Sequence, residues 1–418
     1  MSEGRRGEGE AARGAAPDMG GTPVTSSERH GRDAHDTQAP AHRRTWGWAH
    51  GAVAVLVLLL VASKWEARTG FTALLRFGEP WHAQRLEVLQ PLPVAVAQNS
   101  GGYDGQFYAQ LAVDPLLRAP ELERALDAPA YRARRIFLPW VAALLGLNQP
   151  WWTLQVFALL NVAAWFAAAW LLQREIADGS ARGFARWCGC MLGLGALESV
   201  RQSLVDLPAL VLVLVAAALL RAGRARGAAW VWPLAVLTKE TAVLATVAAE
   251  IRPSRDLGAS SLRRVIMVVA LALLPFALWL GFVAGRFGHW SETGLAGNFS
   301  WPAAAFVMQV AEWSSDLVHG AGSDRAVFGL IGVFGLLVQA VVVVRCWQPA
   351  AILWRIGAAH ALLLPLLGEW VWSGYWAAAR ALLPLTVAFN LLLPARRGFW
   401  PLWLAGNLAL VHGVIRFL

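Results

Sequence analysis

Charge is scarce in this sequence: Asp, Glu, Lys and Arg make up only 15% of its 418 residues. Soluble domains carry roughly 25%, so the composition excludes an ordinary water-exposed globular surface. Cysteine is rarer still. Cys188 and Cys190 lie together in an apolar segment and Cys346 stands alone at a span end. These build neither a disulfide framework nor a metal spacing, so buried free thiols are expected. The histidines show no zinc spacing either. Among 36 basic residues only Lys64 and Lys239 are lysine, a skew read as compositional. No internal repeat period is visible.

What is present is apolar. Hydrophobic residues make up 57% of the chain, and the mean hydropathy is +0.47. Several runs approach the ~20 residues needed to cross a hydrocarbon core of ~30 Å. The runs are continuous rather than alternating, which points to helices instead of a barrel. The expected fold is therefore all-α, a polytopic transmembrane bundle of roughly ten to twelve membrane segments. The net charge of +9 sits mostly on arginines in short loops, where the positive-inside rule expects it, and is no sign of nucleic acid.

Residues 1–45 are rich in Gly, Ala, Arg, Glu, Ser and Thr, with almost no aromatic or branched aliphatic side chains. Such a segment cannot offset its ordering entropy by burial, so a disordered tail is expected. It does not read as a signal peptide, because the apolar stretch begins late and no small-residue cleavage site follows. His42, Arg43 and Arg44 abut the first span, about Trp46 to Ala62, and place the tail in the cytoplasm. The membrane domain then runs over 46–418. Its first outer loop, 64–135, is too long for a structureless connector. A second outer loop is expected over 286–325, with His289, Glu292, Asn298, Glu312 and Asp316.

The remaining spans are expected near 151–172, 265–285, 326–345, 350–368, 376–394 and 399–416. Whether 136–147 crosses is left open. The stretch 187–220 is too long for one helix and is broken by Glu198, Arg201, Asp206 and Pro208. The stretch 228–249 is interrupted by Thr238-Lys239-Glu240-Thr241. It lies between arginine-rich loops, 221–226 and 252–264, and therefore reads as a helical hairpin with Lys239 and Glu240 at its turn.

The first loop carries Gly101-Gly-Tyr103-Asp104-Gly105-Gln106-Phe107-Tyr108, and Tyr103, Tyr108 and Tyr131 are three of the four tyrosines in the chain. Asp104 reads either as a general base or metal ligand, or as a turn aspartate capping backbone amides. Asp114 is the natural second carboxylate, although Asp114-Pro115 equally resembles a helix start. Charges at bilayer depth are costly and mark functional candidates. Glu198 and Arg201 share a helical face and can pair. Asp206 before Leu207-Pro208 has the pattern of a helix cap. Lys239 either pairs with Glu240 or contacts a phosphate. Arg380 either snorkels or faces the interior. Arg134 and Arg135 run against the positive-inside trend, which suits a phosphate ligand.

Taken together, Tyr103 to Tyr108, the Asp127-x-Pro129-Ala-Tyr131-Arg-x-Arg134-Arg135 stretch, Asp206-Leu-Pro208 and Leu237-Thr-Lys239-Glu240-Thr241 resemble the GT-C superfamily of integral membrane glycosyltransferases. Within it they are similar to a bacterial group of mannosyltransferase-like proteins linked to cell-surface glycopolymers. The resemblance covers most of residues 46–395. It implies transfer of a sugar from a polyprenyl-phosphate donor to a glycan or lipid-linked acceptor, on the outer side of the bacterial inner membrane. Asp104 would be the base, with Arg134, Arg135, Arg201 and Lys239 toward the donor phosphate. Tyr103, Gln106, Tyr108, Tyr131, Glu198, Asp206, Glu240 and Arg380 would complete the substrate site. The paired acidic motif of many relatives is missing, so a divalent Mg2+ or Mn2+ is left open, as is the oligomeric state. Two other classes remain: a lipid-linked-glycan flippase, for which internal repeats are expected, and a non-catalytic subunit of an envelope assembly complex.

Overall fold

A computed structural model describes residues 39–176, 178–251, 259–288, 297–320 and 324–418. The disordered tail expected over 1–45 falls almost wholly outside these residues, as do His289 and Glu292. The protein is all-α, with 73% of the structure helical. The named strands are two residues each, Phe77–Gly78 and Val96–Ala97, paired in parallel.

Among the described residues, three helices are long and apolar enough to cross a membrane: Pro150–Ile176, Leu262–Phe287 and Asp324–Arg345. A fourth span arises if Tyr375–Ala381 and Leu383–Leu392, bent by 64°, are counted as one. Two shorter apolar helices, Gly47–Ala62 and Ile352–Leu366, cover the expected first span and most of 350–368, and other apolar stretches are interrupted. Residues 187–220 divide into the end of Ala181–Met191, then Leu194–Arg201, then Asp206–Arg221. The 136–147 run forms the helix Phe137–Leu145. At 1.5 Å per residue it rises roughly 14 Å, under half the depth of a hydrocarbon core. It does not cross by itself.

The hairpin expected at 228–249 is present. Helices Ala225–Thr238 and Ala242–Glu250 meet at the Lys239–Thr241 turn. Trp232 Nε1 donates to Glu250 Oε1 at 3.2 Å, so the second helix folds back along the first.

The first loop is a packed substructure. Buried side-chain amides fasten its strands and turns to the helix Gly105–Val113. Gln106 accepts from Gly78 N–H at 2.9 Å and donates to the Gly101 carbonyl at 3.0 Å. Gln110 accepts from Leu86 N–H at 3.0 Å and donates to the Ala125 carbonyl at 2.8 Å. The long helix Ala259–Phe287 backs the loop, with Trp279 Nε1 donating to Ala133 O at 2.7 Å and Arg286 Nε to Leu117 O at 2.6 Å. Two glycines are needed here. Gly102 has φ of 75°, a left-handed backbone that favours glycine. At Gly105 a Cβ would strike the Gln202 carbonyl, so only glycine allows this helix to start against that backbone.

Two of the interior apolar clusters meet beside the turn of the hairpin. One gathers the first loop with the helices up to Asp206–Arg221. Another gathers the C-terminal helices around Trp372, Tyr375 and Phe389. A charged cavity lies at that junction.

Candidate functional site

The helix Pro129–Ala133 starts with proline at its first position, where a missing N–H costs nothing. It and the residues after it bring Tyr131, Arg132, Arg134 and Arg135 to one end of the first loop. They face Tyr103, Asp104 and Tyr108 from the neighbouring turn and helix. Asp206, the Lys239–Thr241 turn and Arg380 close the opposite side. Together they line a cavity of ≈ 520 Å³ whose remaining wall is apolar, formed by Leu363, Leu367, Trp370 and Val371 among others. That volume lies within the range of about 300–1,000 Å³ usual for ligand sites.

Asp104 occupies the cap position of Gly105–Val113, but its side chain makes no capping hydrogen bond. The turn-aspartate reading is therefore corrected. Its carboxylate pairs instead with Arg132 at 2.9 Å, and Arg132 also binds Asp127 through two contacts of 2.8 and 2.7 Å. Burial pushes the Asp104 carboxyl up, but Arg132 and then Arg380 outweigh it, and the group sits below the usual carboxylate range. Burial is also the largest influence on the neighbouring Tyr103 phenol, which is pushed up to about 12. Tyr103 thus stays a neutral hydroxyl, its oxygen accepting from Trp376 Nε1 and from Arg380 Nη2, each at 2.9 Å.

The hairpin turn departs from the simplest expectation. Lys239 and Glu240 do not pair with each other. Lys239 binds Asp206, while Glu240 takes Arg135 through contacts of 2.8 and 2.6 Å and Arg134 at 3.1 Å. Consecutive residues in the extended backbone at Lys239 point apart, which is why they serve different partners. Arg135 also donates to the Tyr108 and Tyr131 hydroxyls at 2.7 and 3.0 Å. Arg134 is less committed: its guanidinium lies 4.0 Å over the Tyr131 ring.

Asp206 begins the helix Asp206–Arg221, as its Pro208 suggests, yet Val205 holds the cap position. The cap reading is corrected: the Asp206 carboxylate is shared by Lys239 and Arg380, the latter at 3.1 Å. Arg380 is 8% exposed and does not snorkel. Asp114 is not the second carboxylate. It ends a helix rather than starting one and accepts from Ala119 N–H at 2.7 Å.

Three expected site residues stand outside the cavity lining. Gln106 braces the loop. Glu198 is held by Arg416 and Gln202, and Arg201 reaches it only at 3.7 Å. The Glu198 group still adjoins the site, because Arg416 lies 4.6 Å over Trp376, which donates to Tyr103. Sequence reasoning passed over Arg132 and Asp127 as site residues, although both stand in the stretch that carried the resemblance. Asn298 is a further lining residue, donating to the Tyr131 hydroxyl at 3.2 Å.

No family model, no curated protein and no solved structure matches the chain. The functional reading therefore rests on the cavity itself.

A divalent cation does not fit the residues present. Asp104, Asp127, Asp206 and Glu240 are each held by arginine or lysine. Among the described residues no three His, Cys, Asp or Glu side chains gather as ligands.

Proposed function

We propose that this chain is a polytopic, GT-C-like membrane glycosyltransferase of the bacterial inner membrane. It moves a sugar from a polyprenyl-phosphate donor to a cell-surface glycan or lipid-linked acceptor on the outer face. One observation carries the reading: a half-buried carboxylate, Asp104, shares a single cavity with Arg134, Lys239 and Arg380, next to an apolar wall. The resemblance of the Tyr103–Tyr108 and Leu237–Thr241 stretches to that superfamily supports the same assignment.

The chemistry follows from the placement. An acceptor hydroxyl on the Asp104 side gives its proton to the carboxylate as its oxygen bonds to the anomeric carbon. The bond from that carbon to the phosphate oxygen breaks, and the lipid phosphate departs as an anion. Cations across the cavity stabilise that anion. Asp127 and the tyrosine hydroxyls provide acceptors and donors for sugar hydroxyls.

Lys239→Gln is expected to raise the donor KM by about 10- to 100-fold, the worth of a charge-assisted contact, with the acceptor KM unchanged. Radiolabelled transfer by the full chain in vesicles measures both. An equal change in the two KM values removes Lys239 from the phosphate role. Failure of the wild type to transfer from any polyprenyl-phosphate sugar ends the enzyme reading.

A second expectation concerns pH. Asp104 is depressed by Arg132, so the acid limb of transfer lies below the ordinary aspartate value of about 3.9. The stability it contributes is present above that value and is lost as pH falls through its lowered one. Arg132→Gln removes the nearest cation and moves the limb upward. A limb that stays in place shows that Arg132 does not tune this carboxylate.

A further inference from the structure

The three ion-pair knots in the cavity wall do not balance in the same way. Lys239 and Arg380 share the single carboxylate of Asp206. Arg134 and Arg135 share that of Glu240. Each knot sets two cations against one anion and carries a surplus positive charge. The third is the reverse, with Arg132 between Asp104 and Asp127. The cavity therefore has two cationic subsites and one anionic one.

Lys239 and Glu240 are neighbours in sequence, so the two cationic knots lie on either side of one hairpin turn. Each also retains a guanidinium N–H that no acceptor takes, Nε of Arg380 in one and Nε of Arg134 in the other. Arg380 is more than nine-tenths buried and lines the cavity. Buried donors are normally satisfied; here donors outnumber acceptors in both knots. Two cationic positions bound to the same turn suit two phosphoryl groups joined through one oxygen better than two separate anions. The adjoining wall of Leu363, Leu367, Trp370 and Val371 suits a hydrocarbon chain.

We propose that the cavity binds an isoprenoid diphosphate, with one phosphoryl group on Lys239 and Arg380 and the other on Arg134 and Arg135. The inference rests on the reading of this cavity as the donor's lipid-phosphate site and specifies the donor's link as a diphosphate in place of a single phosphate.

The test is binding to the full-length chain in detergent, by calorimetry, with farnesyl diphosphate, farnesyl monophosphate and inorganic pyrophosphate. The diphosphate lipid is expected to bind at least about 10-fold more tightly than the monophosphate, as a second set of charge-assisted contacts requires. Pyrophosphate is expected to compete but to bind more weakly than farnesyl diphosphate. Lys239→Gln and Arg134→Gln should each bring the diphosphate-to-monophosphate ratio close to one, while Lys239→Arg and Arg134→Lys should keep it well above one.

Equal affinity of the wild type for the two lipids overturns the proposal, and this measurement needs no variant to fold. Two monophosphates bound per chain, pyrophosphate as tight as farnesyl diphosphate, or a ratio preserved in both glutamine variants overturns it equally. The assay involves no sugar transfer. A chain that prefers diphosphate but transfers nothing defeats only the enzyme reading, and one that transfers sugar without the preference defeats only this inference.

Discussion

Asp104→Asn is expected to lower sugar transfer by about 10²- to 10⁴-fold, the usual worth of a positioned general base, without unfolding the protein. The second half of that expectation comes from Arg132. Removing one partner of a buried pair is normally costly because the other charge is left alone. Here Arg132 keeps its two contacts with Asp127 at 2.8 and 2.7 Å, and its guanidinium remains against the Phe107 and Tyr131 rings. The asparagine fills the same space, so the melting temperature should barely move. Asp127→Asn is the matching control. Asp127 is the more exposed carboxylate of the two, at 33% against 27%, and its loss should slow transfer far less. Transfer that survives Asp104→Asn but not Asp127→Asn would reverse the assignment of the base.

The helical character and the hairpin were legible in the sequence because both follow from apolar run length and from polar residues that interrupt it. The order of the first loop was legible from its length and its tyrosines. The roles of Gly102, with its positive φ, and of Gly105, pressed against the Gln202 backbone, show only in the structure. Pairing was not legible either. Asp206 lies 33 residues from Lys239 and 174 from Arg380 along the chain, and local patterns suggest a cap for the first and a neighbour for the second. Tertiary packing overrode both. Glu198 shows both levels: the pair that its spacing to Arg201 predicted is present at 3.7 Å, while Arg416, 218 residues away, is a second partner that no local pattern announced. Arg132 was hidden by its company, since one arginine among several in a short run carries no mark of its own.

Glu240→Gln is expected to have two effects of opposite sign. Among the described residues Glu240 is the only carboxylate paired with both Arg134 and Arg135, whose side chains are 13% and 10% exposed. Neutralising it leaves two like charges close together, with little water to screen them. Breaking a buried pair by removing one partner costs about 3–5 kcal/mol. Glu240 is 25% exposed at the cavity, which puts the expected loss near the lower end, about 3 kcal/mol. Arg135 keeps the Tyr108 and Tyr131 hydroxyls, so the loop should stay attached to the hairpin while the melting temperature falls. The knot then holds two cations and no anion. An added phosphate or diphosphate should raise the melting temperature of the variant more than that of the wild type, because anything bound only by the folded state stabilises it in proportion to its affinity. Arg135→Gln with Glu240→Gln should be closer to wild-type stability than Glu240→Gln alone, since it removes the repulsion. The wild-type carboxylate therefore works as an internal stand-in for the ligand's negative charge, which keeps the empty cavity folded at some loss of anion affinity. A Glu240→Gln protein as stable as wild type, or one that anions do not stabilise further, contradicts that role.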